Sequence, residues 1–188
     1  MAIRSPLRNR LLAAWRDVVE IDYAKQRINS ERALQAALWA RLNALLPERQ
    51  RMFIEPPFPV KLAAQRCIPD IVICSRRRII AVIEIKYRPR GKAAYKKDVR
   101  SLDALARRRK GLSLSNSRFE GPAIDETCYT FSINTLFVWA GFHRPASTGS
   151  YVDLPPLSQG FKSLAGKFMQ LHAETSSAES PRILYQLG

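Results

Sequence analysis

Asp70, Glu84 and Lys86 bring two carboxylates and an ammonium into a short stretch of otherwise apolar sequence. Hydrolysis of a phosphodiester needs an activated water molecule and neutralisation of the charge that builds up on the phosphate. Mg²⁺ can do both, and its preferred ligands are a few carboxylate oxygens together with water. Because Lys86 follows Glu84 by two residues, both side chains project from the same face of a strand, and the ammonium can reach the same phosphate or the attacking water. These residue types favour metal-assisted phosphodiester hydrolysis.

The elements around these residues resemble two strands of a hairpin. Ile68 to Cys74 and Ile79 to Tyr87 are rich in β-branched apolar residues, and the stretch between them is polar. A turn centred on Arg77 would place Asp70 opposite Glu84, where side chains on one face are about 5 Å apart at Cβ. Two facing carboxylates repel each other, which favours a cation bound between them. A slip of one residue in the register would abolish this arrangement.

A third acidic residue, Glu31, lies near the start of a predicted helix. The helix begins at Asn29 or Ser30, both good capping residues, and ends at Leu46 because Pro47 follows. Glu31 shares a face with the apolar residues three and seven positions later, so it points inward. We expect it to orient a water molecule or to bind a second metal ion. A stabilising charge in the first helical turn, with no other duty, is the alternative.

Pro69-Asp70, thirteen intervening residues and Glu84-Ile85-Lys86 resemble the motif of the PD-(D/E)XK nuclease superfamily. The upstream Asn29-Ser30-Glu31 is similar to a further motif of many members, and the resemblance covers about residues 29–142. It implies an α/β, restriction-endonuclease-like core with a central mixed β-sheet flanked by helices. The catalytic residues that it implies are Glu31, Asp70, Glu84 and Lys86. The cofactor that it implies is Mg²⁺, with Mn²⁺ expected to substitute, bound by Asp70, Glu84 and the carbonyl oxygen of Ile85.

The chain is strongly basic, with 31 Lys and Arg residues against 16 Asp and Glu and a formal net charge of +15. Residues 76–110 alone hold 14 basic residues against three acidic ones. Such one-sided charge is typical of proteins that bind a polyanion, most simply nucleic acid. A solvated surface that only keeps the protein in solution is the alternative. The predicted nucleic-acid-binding residues are Arg76, Arg77 and Arg78 at the hairpin tip, and Lys96, Lys97 and Arg100 on the helix that follows.

Three segments are predicted along the chain. Residues 1–28 hold an N-terminal accessory helix, residues 29–145 the nuclease-like core, and residues 146–188 a linker and a C-terminal helix, from Phe161 to His172, that packs on the core. The other predicted elements are an irregular proline-rich stretch at 52–61, a helix at 92–110, a polar loop at 111–127 and a strand from Cys128 to Phe142.

A cytoplasmic, Mg²⁺-dependent nuclease acting on DNA is the function that these features predict. A catalytically inactive nucleic-acid-binding protein of the same fold, and RNA as the substrate, are the alternatives. Three cysteines without a CxxC spacing and two histidines fit no familiar zinc site and indicate a reducing compartment. The longest apolar runs, 79–83 and 136–142, are far too short to span a bilayer, so no membrane partner is expected. A homodimer, and a protein partner for the C-terminal region, are further expectations.

Overall fold

The computed structural model describes residues 4–62, 65–93, 95–116, 118–145, 160–176 and 180–188. It confirms the predicted α/β architecture, a central mixed sheet flanked by helices. The helices are α1 (Arg4–Asp17), α2 (Glu31–Leu45) and α3 (Lys96–Arg108). Six strands of the sheet lie side by side in the order β1 (Gln50–Ile54), β4 (Ile71–Ser75), β5 (Arg78–Arg88), β9 (Cys128–His143), β10 (Phe168–Glu174) and β11 (Arg182–Leu187). The seventh, β6 (Ser113–Ser115), pairs with the start of β9, and two small ribbons pair β2 (Phe58–Leu62) with β3 (Gln65–Cys67) and β7 (Arg118–Glu120) with β8 (Ala123–Asp125).

Strands β5 and β9 form the centre of the fold because both are apolar over most of their length and buried on both faces. They run parallel to each other, with Glu84 beside Trp139. Helices α1 and α2 pack on one face of the sheet, where Trp15 and Leu38 join the core around Ile83. Helix α3 packs on the other face, which also carries the side chains of Glu84 and Trp139. The sheet therefore has a core on each face, and Glu84 lies on the face that α3 covers.

The β4–β5 hairpin has the predicted register at the end that carries the acidic residues. Ile71 pairs with Ile83 and Ile73 with Ala81, so Asp70, which comes just before β4, stands opposite Glu84. A bulge after Ile73 shifts the remaining pairs by one residue toward the turn. The bulge accommodates this one-residue shift, so the pairs on the Asp70 side of it keep their register. The buried apolar pattern of the two strands thus fixes the register where it matters for the site.

Helix α2 begins where the sequence predicts. Ser30 is its N-cap, and the Ser30 hydroxyl accepts a hydrogen bond from Ala33 N at 3.1 Å. Glu31 is the first helical residue. One turn later, Gln35 donates from Nε2 to the carbonyl oxygen of Asp70 at 3.0 Å. The start of α2 is therefore tied directly to the start of β4.

The predicted C-terminal helix at 161–172 is wrong. Lys162–Leu164 forms only a short 3₁₀ turn, Gly166 has a positive φ of 68° that ends it, and Phe168–Glu174 is strand β10. This strand pairs parallel with β9 and antiparallel with β11, and all seven of its residues are buried. Gln170, His172 and Glu174 alternate with Met169, Leu171 and Ala173, so the two-residue period of a strand is present in this segment and the helix prediction overlooked it. Pairing with distant strands decides the outcome.

Two other stretches are more regular than predicted. The proline-rich residues 52–61 include the end of β1, which is an edge of the sheet, and most of β2. Prolines are tolerated in strands of this kind because an edge leaves some N–H positions unpaired. Residues 111–127 hold the short strands β6, β7 and β8. None of the helices in the described ranges is long and apolar enough to cross a membrane.

Candidate active site

Strand β5 extends past the start of β4, and two carboxylates bind the edge of β5 that β4 leaves unpaired. The two strands pair as far as Ile83, so the next N–H groups on that edge of β5 need other acceptors. Asp70 Oδ2 accepts a hydrogen bond from Ile85 N at 2.5 Å, and Glu31 Oε2 accepts one from Tyr87 N at 3.1 Å. The start of β4 and the start of α2 therefore converge on one segment of β5.

Glu84 and Asp70 form a buried carboxylate pair. Glu84 is only 9% exposed. Burial raises its pKa well above the usual range, and the charges of Asp70 and Asp98 act in the same direction. Burial also raises the pKa of Asp70 to about 6, although the hydrogen bond from Ile85 opposes the shift. The two side chains are hydrogen-bonded to each other, and repulsion between the two carboxylates favours a proton shared within the pair.

Lys86 lies on the same face of β5 as Glu84 and carries a positive charge. Its Nζ is 3.0 Å from Glu31 Oε1. Burial acts to lower the pKa of Lys86, but the negative charges of Asp98, Glu31 and Asp70 outweigh burial and raise the pKa. Lys86 therefore stays an ammonium, which suits it to neutralising phosphate charge and makes it a poor proton acceptor.

Asp98, in the first turn of α3, is a fourth carboxylate of this group that sequence reasoning missed. Burial raises its pKa, while the charge of Lys86 and a hydrogen bond from Trp139 Nε1, 3.3 Å from Asp98 Oδ2, oppose the rise. A signal was present in the sequence. Asp98 precedes the buried Leu102 and Leu105 by four and seven residues, which places it on the inner face of α3. The prediction for this helix named only Lys96, Lys97 and Arg100, which lie on its exposed face.

The indole of Trp139 can reach Asp98 because Gly141 has no side chain. A Cβ at Gly141 would lie 2.4 Å from Cη2 of Trp139, far inside contact distance. Gly141 stands beside Lys86 in the sheet, as Trp139 stands beside Glu84. A glycine at this position therefore allows the ring to lie flat over the sheet between the carboxylates and β10.

The donor set suits a hard divalent cation. Asp70 and Glu84 provide carboxylate oxygens whose mutual repulsion a cation would relieve, and Mg²⁺ is commonly held by one or two carboxylates together with water. The carbonyl of Ile85 faces the same edge as its N–H group, because both groups of one residue point toward the same neighbouring strand. In the described ranges, no three His, Cys, Asp or Glu side chains converge on one metal position. A cation here would be held by the Asp70–Glu84 pair and the main chain rather than by three side chains.

The predicted nucleic-acid-binding residues fall into two separate places. Lys96, Lys97 and Arg100 are exposed on the same helix that carries Asp98, next to the carboxylates. The three arginines at 76–78 are exposed at the hairpin tip, at the other end of β5. Six residues of strand separate Arg78 from Glu84, which corresponds to about 20 Å. The structure therefore brings only the helical set close to the candidate active site.

No protein-family model and no curated protein matches this sequence. Among solved structures, the chain is similar to Pyrococcus furiosus SfsA in complex with Ca²⁺, at 16% sequence identity and a TM-score of 0.33. The aligned region covers 82% of this chain and 62% of the SfsA chain, so the chain spans less than two thirds of that protein's length. A similarity of this size carries no argument about function.

Proposed function

We propose that the protein is a metal-dependent nuclease that hydrolyses phosphodiester bonds of DNA, with an active site of the PD-(D/E)XK type. The observation that carries the proposal is the carboxylate pair Asp70 and Glu84. The two residues stand opposite each other where β4 begins, and the Lys86–Glu31 ion pair lies beside them. Burying two facing carboxylates costs stability. Groups with strongly perturbed pKa values that cluster in this way are candidates for function rather than for structure.

Each residue has a role that follows from its contacts. Asp70, Glu84 and the Ile85 carbonyl would hold Mg²⁺, which when bound would lower the pKa of a water molecule and offset phosphate charge. Asp70 is oriented for this by its hydrogen bond from Ile85 N. Lys86, kept as an ammonium by the surrounding carboxylates, would stabilise the negative charge of the phosphate. Glu31 is a positioning residue, because it holds Lys86 Nζ with one oxygen and Tyr87 N with the other.

DNA is proposed as the substrate because of the charge distribution around the site. The exposed basic residues of α3 lie beside the carboxylates, and phosphate contacts of this kind position a nucleic acid without reading its sequence. Binding should therefore weaken steeply with salt. RNA as the substrate, or binding without cleavage, is decided by the same experiment.

The test is to incubate the purified protein with supercoiled plasmid, a linear duplex and a single-stranded RNA, in Mg²⁺, Mn²⁺, Ca²⁺ or EDTA. Asp70→Asn is the diagnostic variant, since it keeps the shape of the side chain. Glu48→Gln is the matched control, because Glu48 is an exposed acidic residue away from the cluster. Mg²⁺-dependent cleavage of DNA that Asp70→Asn loses and Glu48→Gln keeps is the expected result. Salt-sensitive binding with no cleavage in any metal would overturn the enzyme and leave a binding protein.

A further inference from the structure

A cavity of about 380 Å³ lies at the hairpin-tip end of β5, away from the carboxylates. Buried apolar side chains of Leu7, Ile80 and Leu136 line it on the inside. The polar and basic residues that line it are Arg49, Gln50, Ser75, Arg76, Arg78, Ser132 and Asn134. Three guanidinium groups with hydroxyl and amide groups beside them are donors of the kind that bind phosphate, in a fork geometry that lysine cannot reproduce.

The arginines of this cavity have no acidic partner within the described ranges. None of Arg49, Arg76 and Arg78 forms an ion pair there, whereas Arg41 and Arg107 do so with Asp22 and Asp103. Three unpaired arginines on one cavity leave a concentrated positive field, which attracts an anion.

Arg49 and Arg76 lie at the same end of the sheet. Gln50 and Ser75 form the last pair of β1 with β4 at this end, and Arg49 and Arg76 flank that pair and line the same cavity. An anion in the cavity would be attracted by both positive charges.

Arg76 also has an unfavourable backbone conformation. Its φ is 54°, in the left-handed region that favours glycine, at the first residue of the hairpin turn. Glycine or asparagine would adopt this conformation at lower cost, and strain of this kind persists at functional positions. On the other side of the turn, Arg78 is held in place by a hydrogen bond from its Nη1 to Thr130 Oγ1 at 2.7 Å. Arg77, between them, does not line the cavity.

We infer that this cavity binds a backbone phosphate of DNA. The inference rests on the proposed function. It adds a contact about 20 Å from Glu84 along β5, on the α1 and α2 side of the sheet, because Leu7, Ile80 and Leu136 belong to the core on that side. Arg76 and Arg78, with Arg49, provide the contact, and Arg77 does not.

The test measures binding in EDTA, where cleavage does not interfere, to a fluorescent duplex of about 16 base pairs at several salt concentrations. Arg76→Gly is the diagnostic variant, because it removes the guanidinium and relieves the left-handed strain. We expect its melting temperature to be unchanged or higher, its affinity to fall about five- to tenfold, and its salt dependence to lose about one counterion. Arg77→Gln removes one charge from the same turn and is the matched control, with an expected loss of at most about twofold.

Three further results would overturn the inference. Equal losses in Arg76→Gly and Arg77→Gln would show a general charge effect of the turn and would leave the nuclease proposal intact. If adenosine monophosphate stabilised the wild type through Arg76 while the duplex affinity did not depend on Arg76, the cavity would take a free nucleotide instead of a DNA backbone. If the wild type bound no duplex at all, the proposed function would fail together with this inference.

Discussion

Two groups of polar side chains flank Trp139 in the sheet. The carboxylate cluster, defined as Glu31, Asp70, Glu84 and Asp98, lies toward β4, α2 and α3. The histidine pair, His143 and His172, lies on β9 and β10. The indole of Trp139 contacts Asp98 on one side, and its ring centroid is 5.1 Å from that of His172 on the other.

The two histidines contact each other and two acceptor oxygens, and with one N–H on each neutral ring the pair serves two of these three contacts at a time. His143 Nε2 and His172 Nδ1 are 3.0 Å apart, and the outer nitrogens lie 2.8 Å from Arg144 O and 3.3 Å from Gln170 Oε1. Burial lowers the pKa of both rings, to about 3 for His172. Both rings are therefore neutral at physiological pH. Neutral, hydrogen-bonded groups can be buried at little cost.

The carboxylate cluster has the opposite balance. Four acidic side chains share one ammonium, and burial raises the pKa of Asp70, Glu84 and Asp98. The two histidines are almost fully buried, whereas Asp70 and Asp98 are only partly buried and nearly half of the Glu31 side chain is exposed, so the carboxylate cluster is more open to solvent than the histidine pair. The carboxylate cluster also carries an excess of negative charge that the histidine pair lacks, and this difference is the basis of the cation site that we propose.

The largest expected effect comes from replacing one member of each group by glutamine. Glu84→Gln should lower the cleavage rate by at least about 10³-fold, because it removes a carboxylate ligand from a cation that stabilises the transition state. In EDTA at pH 8 it should raise the free energy of unfolding by about 1 kcal/mol, since a buried carboxylate no longer has to be kept protonated. His172→Gln should do the reverse, keeping cleavage and losing about 2 kcal/mol of stability. Cleavage assays measure the rate and urea unfolding measures the stability of each variant. A Glu84→Gln protein that cleaves DNA at the wild-type rate would contradict the comparison.

The next effect is the response to divalent cations. Mg²⁺ or Ca²⁺ at about 100 times its dissociation constant should stabilise the wild type by about 2.7 kcal/mol, which raises the melting temperature by about 5 to 10 °C for a chain of this size. Asp70→Asn and Glu84→Gln should lose this shift, and His172→Gln should keep it. Differential scanning fluorimetry in EDTA and in each metal gives the result. A shift that survives in Asp70→Asn would place the cation elsewhere.

The two groups should also give pH dependences of opposite sign. The pKa of His172 is lowered from 6.5 to about 3, so between these values the unfolded chain binds a proton that the folded chain does not, and stability falls as pH decreases below about 6.5. The pKa of Asp70 is raised from 3.8 to about 6, so the folded chain binds the extra proton and stability rises as pH decreases through 6. Each group contributes a slope of at most about 1.4 kcal/mol per pH unit.

Urea unfolding in EDTA between pH 4.5 and 8 separates these contributions. In His172→Gln the loss of stability at low pH should become smaller, because the group that causes it is gone. In Asp70→Asn that loss should become steeper, because the opposing contribution is removed. Identical profiles for the two variants would mean that neither pKa shift operates in solution.

The pairing of Asp70 with Glu84 could be predicted from the sequence because it depends on a local hairpin with a strong apolar pattern. Glu31 could be placed because Ser30 is a clear helix cap. Asp98 and the histidine pair could not be placed in the same way. Asp98 reaches the site only because Trp139, forty-one residues later, lies flat over Gly141. The histidines meet only because β10 pairs parallel with β9, and such long-range pairing leaves no local signal.

The smallest expected effect tests Trp139 as the contact between the two groups. Trp139→Phe keeps an aromatic ring over Gly141 but loses the N–H that Asp98 accepts, so unfolding should become easier by about 1 kcal/mol and cleavage should slow by about threefold. Trp15→Phe is the matched control, because Trp15 Nε1 donates to the carbonyl oxygen of His172 at 3.2 Å and not to a residue of the carboxylate cluster. It should lose similar stability and keep the wild-type cleavage rate. If both variants slowed cleavage equally, rigidity of the sheet would control the carboxylates, and the hydrogen bond to Asp98 would have no separate role.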